Sequence, residues 1–292
     1  MPTSIHRYQS DEEDSARWTG FPFRDGDIVI STRSKSGTTW MQMICALLVL
    51  RSAELPAPLT VLSPWLDWLG EPQATVYDRL AAQPHRRFIK THTPLDGVPL
   101  DPRAHYVVVA RHPLDMAVSL YHQSANLDRA RIAELTGQPA PTGPPRERPP
   151  VREWLWSWVN REVDPRAELD SLPGVLMHLA DAWARRHDPN VELVHYDDLL
   201  ADLGGEMRRL ADAWKLPSPG PELVEAATFG RMRERADRLA PDTLGVLRDR
   251  QAFFRRGGSG QGRDLLDEAG LTRYRQQVAA LAPPDLISWL HR

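Results

Sequence analysis

The sequence predicts an α/β fold in which a central parallel sheet is flanked by helices. Three features predict it: four short runs dense in β-branched and aromatic residues, apolar side chains on successive positions of most of those runs, and helical patterns lying between them. The first strand is expected over 27–31 (DIVIS), followed by an apolar helix over 39–51. The second strand is expected over 87–92 (RFIKTH). The third, over 106–111 (YVVVAR), leads into a helix over 114–124, with Pro113 suited to its first turn. Helices over 175–186 and 199–214 bracket the fourth strand, 191–196 (VELVHY). Helices between strands supply the long crossovers that parallel neighbours require.

With 292 residues, 41% of them hydrophobic, the chain is long enough to bury a core as one large domain over 1–292. A formal charge of only −3 argues against a nucleic-acid partner, whose footprint is a basic excess. Cys45 is the sole cysteine, so an intrachain disulfide is excluded and a reducing compartment fits. The first residues, MPTSIHRYQSDEEDSARW, are polar and acidic where a secretory signal is basic and then apolar. The longest apolar run, near Met41 to Leu50, is about half the roughly 20 residues of a membrane span. A cytoplasmic protein without a transmembrane segment is expected, with peripheral contact to lipid left open.

One stretch interrupts the pattern. Gly137 to Pro150 (GQPAPTGPPRERPP) holds six prolines in fourteen residues, too many for a regular helix or a central strand. Strand signals on both sides belong to one sheet, so a surface insertion or lid at about 128–165 is expected rather than a linker. Just beyond it, VREWLWSWVN places Trp154 and Trp158 on one helical face and Trp156 on another. Core packing is the commoner use of such a pattern; an apolar wall over a lipidic or aromatic acceptor is the alternative.

The end of the first strand carries the most chemistry. SKSGTT lies where a parallel sheet hands its chain to a helix, whose leading N–H groups and partial positive charge attract anions. The phosphate loop of nucleoside-triphosphatases reads G-x-x-x-x-G-K-[ST]; here Lys35 precedes Gly37 by two residues and the first glycine is missing. What remains is an anion cradle: Gly37 lets backbone approach, Ser36, Thr38 and Thr39 supply hydroxyls, and Lys35 supplies a point charge. A plain strand–turn–helix capped by hydroxyl residues is the alternative.

Lys35 to Trp40 resembles the first signature, K-S-G-T-T-W, of the cytosolic-type sulfotransferase family. The resemblance implies a single-domain P-loop-like sulfotransferase fold and transfer of a sulfuryl group from 3′-phosphoadenosine 5′-phosphosulfate (PAPS) to a hydroxyl, leaving adenosine 3′,5′-bisphosphate (PAP), with no metal. It also accounts for the missing triphosphatase spacing, since no magnesium is needed. Three further stretches match in the family's order. KTHTPLDG resembles the catalytic K-T-H-L-P, implying His92 as general base with Lys35 and Lys90 on the sulfuryl oxygens; a strand's period puts Lys90 and His92 on one face. VARHPLDMAVSLYHQ resembles the 3′-phosphate signature, implying Arg111 and Ser119 as its ligands. FFRRGGSGQGRDLL resembles the closing block R-K-G-x-x-G-D-W-K, implying Arg255, Arg256 and Gly257 around the same phosphate, with Phe253 and Phe254 as anchors of the loop. Gln261, Gly262 and Arg263 depart from that block's aspartate, tryptophan and lysine. Tyr196 stands at a base-contacting tyrosine, and ATFGRM resembles the T-S-F block, implying Phe229 as a stacking residue while Ala227 replaces a threonine. Trp40 completes the cofactor-binding set.

The resemblance runs from about Asp27 to Gly262, and bacterial members of the mycobacterial glycolipid type look most similar. They imply a small or amphipathic acceptor, such as a lipid-linked sugar. The K-T-V-x-x-x-E dimer segment of many animal members is not found near the C-terminus. Two other readings compete: a metal-dependent nucleotide kinase using Asp197 and Asp198, and a noncatalytic nucleotide or lipid carrier.

Overall fold

The computed structural model describes residues 5–140, 142–143 and 147–292; positions 141 and 144–146 of the Pro-rich stretch lie outside the described residues. Four parallel strands form one sheet: β1 (Ile28–Ser31), β2 (Phe88–Thr91), β3 (His105–Ala110) and β4 (Val191–His195), in the order β2-β1-β3-β4. Neighbours stay in register from Ile28 opposite Phe88 and His105 through Ala110 opposite His195.

Both faces are covered, as the unbroken apolar runs require. The two-residue strand period divides the core in two. Val29, Ile89, Tyr106 and Val108 join helices Pro113–Asn126, Val151–Val159, Leu172–Ala184 and Glu268–Leu281 on one side. Ile28, Ile30, Phe88, Val107 and Val109 join helices Thr38–Leu50 and Leu203–Ala213 on the other. Thr38–Leu50 is buried almost all round, Cys45 included, and closes with Arg51 in the left-handed region donating its N–H to the Leu47 carbonyl at 3.0 Å. At the N-terminal ends of β1 and β2 the buried Arg87 guanidinium clasps Asp27, with 2.8 Å bonds to Asp27 Oδ1 and the Pro22 carbonyl.

One helix differs from expectation. The pattern over 199–214 is two helices, Tyr196–Ala201 and Leu203–Ala213, because the Asp202 side chain accepts the Gly205 N–H at 2.7 Å and starts a new helix instead of continuing the old one. The Pro-rich stretch separates helices Arg129–Thr136 and Val151–Val159. In the second of these Trp158 is buried and donates to the Asp170 carbonyl at 2.9 Å, Trp154 packs against the core, and Trp156 is exposed. The tryptophans are thus core packing and an exposed face, and none lines the main cavity. No helix among the described residues is long and apolar enough to cross a membrane.

Candidate active site

The turn leaving β1 uses two left-handed residues, Lys35 (φ 64°) and Gly37 (φ 110°). Gly37 is constrained twice, by that φ and by the Tyr196 ring, which would stand 3.1 Å from an added Cβ. Thr32 and Thr38 bond hydroxyl to hydroxyl across the turn, and the Ser31 hydroxyl donates to the Thr93 carbonyl at 2.7 Å. The following helix begins at Gly37 with no side-chain cap, so its leading N–H groups stay available to an anion.

Both lysines sit on aromatic faces rather than on carboxylates. Lys35 Nζ lies 3.9 Å over the Phe253 ring and 3.4 Å from Gln123 Oε1. Lys90 Nζ lies 3.7 Å over Trp65. Burial, with Arg111, Lys90 and Arg255 nearby, draws the Lys35 ammonium down to about 7. Burial draws Lys90 down to about 8 against the opposing pull of Glu13 and Asp67. A bound polyanion would restore both charges.

His92 is buried, its Nδ1 bonded to the Thr32 carbonyl. A carbonyl only accepts, so Nδ1 carries the proton and Nε2 keeps a free lone pair. Burial, then Lys90 and Arg33, hold its pKa well below the ordinary histidine value, which keeps the imidazole unprotonated at neutral pH. The neighbours fix it in place. Thr91 and Thr93, on either side of it in the chain, both donate hydroxyls to buried Asp67. Arg33 donates to the His92 carbonyl and, at 2.7 Å, to Asp170, while Trp65 packs edge-on with ring centroids 4.7 Å apart.

The second half of the site is built where β3 ends. Pro113 starts a helix capped by the His112 ring, which accepts the Leu114 N–H at 3.2 Å. Arg111 does not pair with Asp115. It donates to the carbonyls of Lys35 at 3.1 Å and Gly258 at 2.7 Å and lies 4.3 Å from the Tyr196 ring centroid. Asp115 instead accepts the N–H groups of Gly260 and Gly262, each at 2.8 Å, and Ser259 bonds to Asp197. These bonds anchor the loop that lacks the usual aspartate and tryptophan. Gly262 is required there, since an added Cβ would meet the Leu114 backbone at 2.4 Å. Gly257 (φ 66°) is required in the same way, since an added Cβ would stand 2.3 Å from the Phe229 ring. Arg255 donates to Gln261 Oε1 at 2.7 Å, and Trp40 Nε1 donates to the Ala227 carbonyl at 2.8 Å, joining the first motif to the T-S-F-like block.

One cavity of about 640 Å³ gathers these parts. Lys35, Gly37, Thr38, Thr39, Trp40, Lys90, His92, Arg111, Ser119, Tyr196, Phe229, Arg255, Arg256 and Gly257 all line it. Ser36 does not; it is buried beneath the loop, its N–H bonded to the Arg33 carbonyl at 3.1 Å. Phe253 and Phe254 anchor the loop and also face the cavity. Asp197 and Asp198, which a kinase would need beside the phosphates, are spent on Ser259 and Arg292 and lie outside the lining.

The family model for the sulfotransferase domain matches residues 25–280. The chain belongs to the sulfotransferase family. This sulfotransferase is 42% identical to the glycolipid sulfotransferase of Mycobacterium bovis (strain BCG / Pasteur 1173P2) over 97% of this chain and 93% of that one. It is 41% identical, with the same coverage, to that of Mycobacterium tuberculosis (strain ATCC 25618 / H37Rv). The fold is shared with retinol dehydratase in complex with androsterone and inactive cofactor PAP, at TM-score 0.68 and 23% identity over 93% of this chain and 86% of that one. Mouse sulfotransferase SULT7A1 complexed with PAP superposes at TM-score 0.68 and 17% identity, covering 94% and 92%.

Four residues that shape the sulfotransferase site are given no role by the motifs: Arg33, Trp65, Asp67 and Asp115. Asp115 stands inside a motif stretch and Arg33 just ahead of one, but nothing in a linear pattern says that Arg33 reaches the His92 carbonyl or Asp115 a loop 145 residues onward. Trp65 and Asp67 lie in SPWLD (63–67), but that stretch alone does not say that the Asp67 carboxylate takes the hydroxyls of Thr91 and Thr93.

Proposed function

We propose that this sulfotransferase uses PAPS and sulfates a hydroxyl of an amphipathic acceptor, a glycolipid. One observation carries the reading: cationic groups from four separate segments, Lys35, Lys90, Arg111 and the Arg255–Arg256 pair, line a single cavity with a neutral, deprotonated imidazole nitrogen among them. The left-handed Gly37, the uncapped helix start and the Gly257 backbone pressed on Phe229 suit a nucleotide with two anionic ends and a base to be stacked. Glycolipid as the acceptor class rests on the names of the mycobacterial relatives.

In the step itself the acceptor oxygen attacks sulfur, its proton passes to His92 Nε2, and the bond from sulfur to the bridging oxygen breaks in line. PAP leaves with the electron pair on its 5′-phosphate. Lys35 and Lys90 stabilise charge on the sulfuryl and leaving oxygens, the preorganised electrostatics that supply most of such accelerations. Incubation with radiolabelled PAPS and a host lipid extract should yield labelled lipid with wild type and none with His92→Ala. Equal labelling by both proteins would overturn His92 as the base; absence of labelled product from wild type across lipid and small-alcohol acceptors would overturn the proposed activity.

A further inference from the structure

Two short pieces of chain extend the sheet beyond β2. Leu66 N–H reaches the Lys90 carbonyl at 3.2 Å, and on the far side the Asp14 and Leu69 N–H groups reach the Asp67 and Glu12 carbonyls at 2.8 Å. Trp65 is thereby paired with Lys90 and Glu13 with Trp68, and all four residues line the cavity. The Glu13 carboxyl is thus carried on a fixed backbone. No side-chain hydrogen bond or ion pair reaches it among the described residues, yet its oxygens are not among the buried atoms sealed without a partner, so they face open space. Lys90 and Arg33 act electrostatically on both Glu13 and His92, which puts the two groups on one part of the chamber.

Neighbouring ionisable groups are taken. Arg33 pairs with Asp170, Arg166 with Asp96, Arg129 with Glu12 and Arg79 with Glu71, and the Tyr8 hydroxyl donates to Asp96 at 2.7 Å. Asp11, also in the lining, is exposed. Leu127, Ile132, Leu244 and Leu247 supply aliphatic surface. Burial, against the pull of Arg33 and with Asp67 nearby, raises the Glu13 carboxyl to about 8. At pH 7 it is chiefly neutral and presents an O–H donor beside an acceptor oxygen.

We propose that Glu13 is an acceptor-binding residue: its carboxyl pairs with a second hydroxyl of the acceptor while His92 takes the one to be sulfated, which selects a polyol head such as a sugar over a simple alcohol. A mono-alcohol satisfies His92 and leaves the carboxyl unpaired. A further hydroxyl both accepts from that carboxyl and donates to it. An ammonium in the same place would stand near Lys90 and Arg33, like charges that disfavour it. This deepens the glycolipid reading and rests on it for where donor and acceptor lie.

Binding to the PAP-loaded protein at pH 7 tests this role apart from catalysis. By calorimetry below the detergent's micelle concentration, octyl glucoside should bind wild type about 3- to 10-fold more tightly than octanol, the increment of an added hydrogen bond. Glu13→Leu should erase that preference, and Glu13→Gln, which keeps a donor and an acceptor in the same shape, should retain most of it. Octylamine should gain nothing over octanol. PAP affinity should be the same in all three proteins, which certifies the fold of each variant. No preference for the glucoside in wild type, a preference that survives in Glu13→Leu, or one lost equally in Glu13→Gln would overturn the inference, as would octylamine binding more tightly than octanol. A preference that depends on Glu13 without label transfer keeps this role and loses the catalytic proposal; label transfer to lipid with a preference indifferent to Glu13 does the reverse.

Discussion

Asp115 Oδ1 accepts the backbone N–H of Gly262 at 2.8 Å, while its other oxygen takes Gly260 at the same distance. One buried carboxylate thereby joins the helix that bears Ser119 to the glycine-rich loop that bears Arg255 and Arg256. Asp115→Ala removes two charge-assisted bonds and frees the loop. PAP affinity should fall by about tenfold or more, since such bonds contribute about 1.5–3 kcal/mol each. Asp115→Asn, which keeps one acceptor oxygen, should fall between. Calorimetric titration with PAP reads both, and unaltered affinity in the alanine variant would remove Asp115 from this role.

His92 makes a prediction about pH. Its pKa lies well below the ordinary value, so the base stays unprotonated through neutrality and is lost only as pH falls through that depressed value. At saturating donor and acceptor, kcat should be flat from pH 8 to 6.5 and decline only in more acid solution. His92→Ala should lower kcat by about 100-fold or more and leave the PAP dissociation constant within about threefold. An acid limb centred near neutrality would contradict the neutral, Thr32-bonded imidazole.

Lys35 predicts a dependence of the opposite kind. In the unliganded protein its ammonium is depressed to about 7, and a polyanion beside it raises that value again. Above pH 7 the nucleotide must therefore bind together with a proton, and PAP affinity should fall by up to about tenfold per pH unit. The phosphates are already ionised there, with second pKa values near 6. The depressed value also means that the unfolded chain binds the extra proton between pH 7 and 10.5, so stability of the free protein gains from Lys35 as pH rises through that window. Titrations in buffers of different ionisation enthalpy should show proton uptake at pH 8, and Lys35→Met should abolish most of it.

Arg87 and Asp27 bear on stability alone. Both are buried, the guanidinium holds both carboxylate oxygens, and no cavity motif includes either residue. Arg87→Ala strands the carboxylate and should cost about 3–5 kcal/mol in urea denaturation, while an Arg87→Met/Asp27→Leu pair should recover part of the loss.

The tryptophans of helix Val151–Val159 give an internal contrast. Trp158→Ala should cost about 3–5 kcal/mol because the ring is buried and its N–H is bonded. Trp156→Ala, at a position 45% exposed, should change stability by no more than about 0.5 kcal/mol. Thermal unfolding of the two variants separates them.

The parallel sheet was legible because strands covered on both faces must be apolar at successive positions, and β1, β3 and the helices after them follow from that rule and from Gly37 and Pro113. The residues that gather at the cavity were legible where short contiguous stretches carry them: a turn, a strand end and a helix start need only local spacing. What tertiary structure decided lies in contacts between remote segments. Ser36 faces inward because the Thr32–Thr38 bond and the left-handed Lys35 turn it away from the cavity. Asp115, not an aspartate within the loop, anchors residues 260 and 262, since only the packed helix brings a buried carboxylate beneath them.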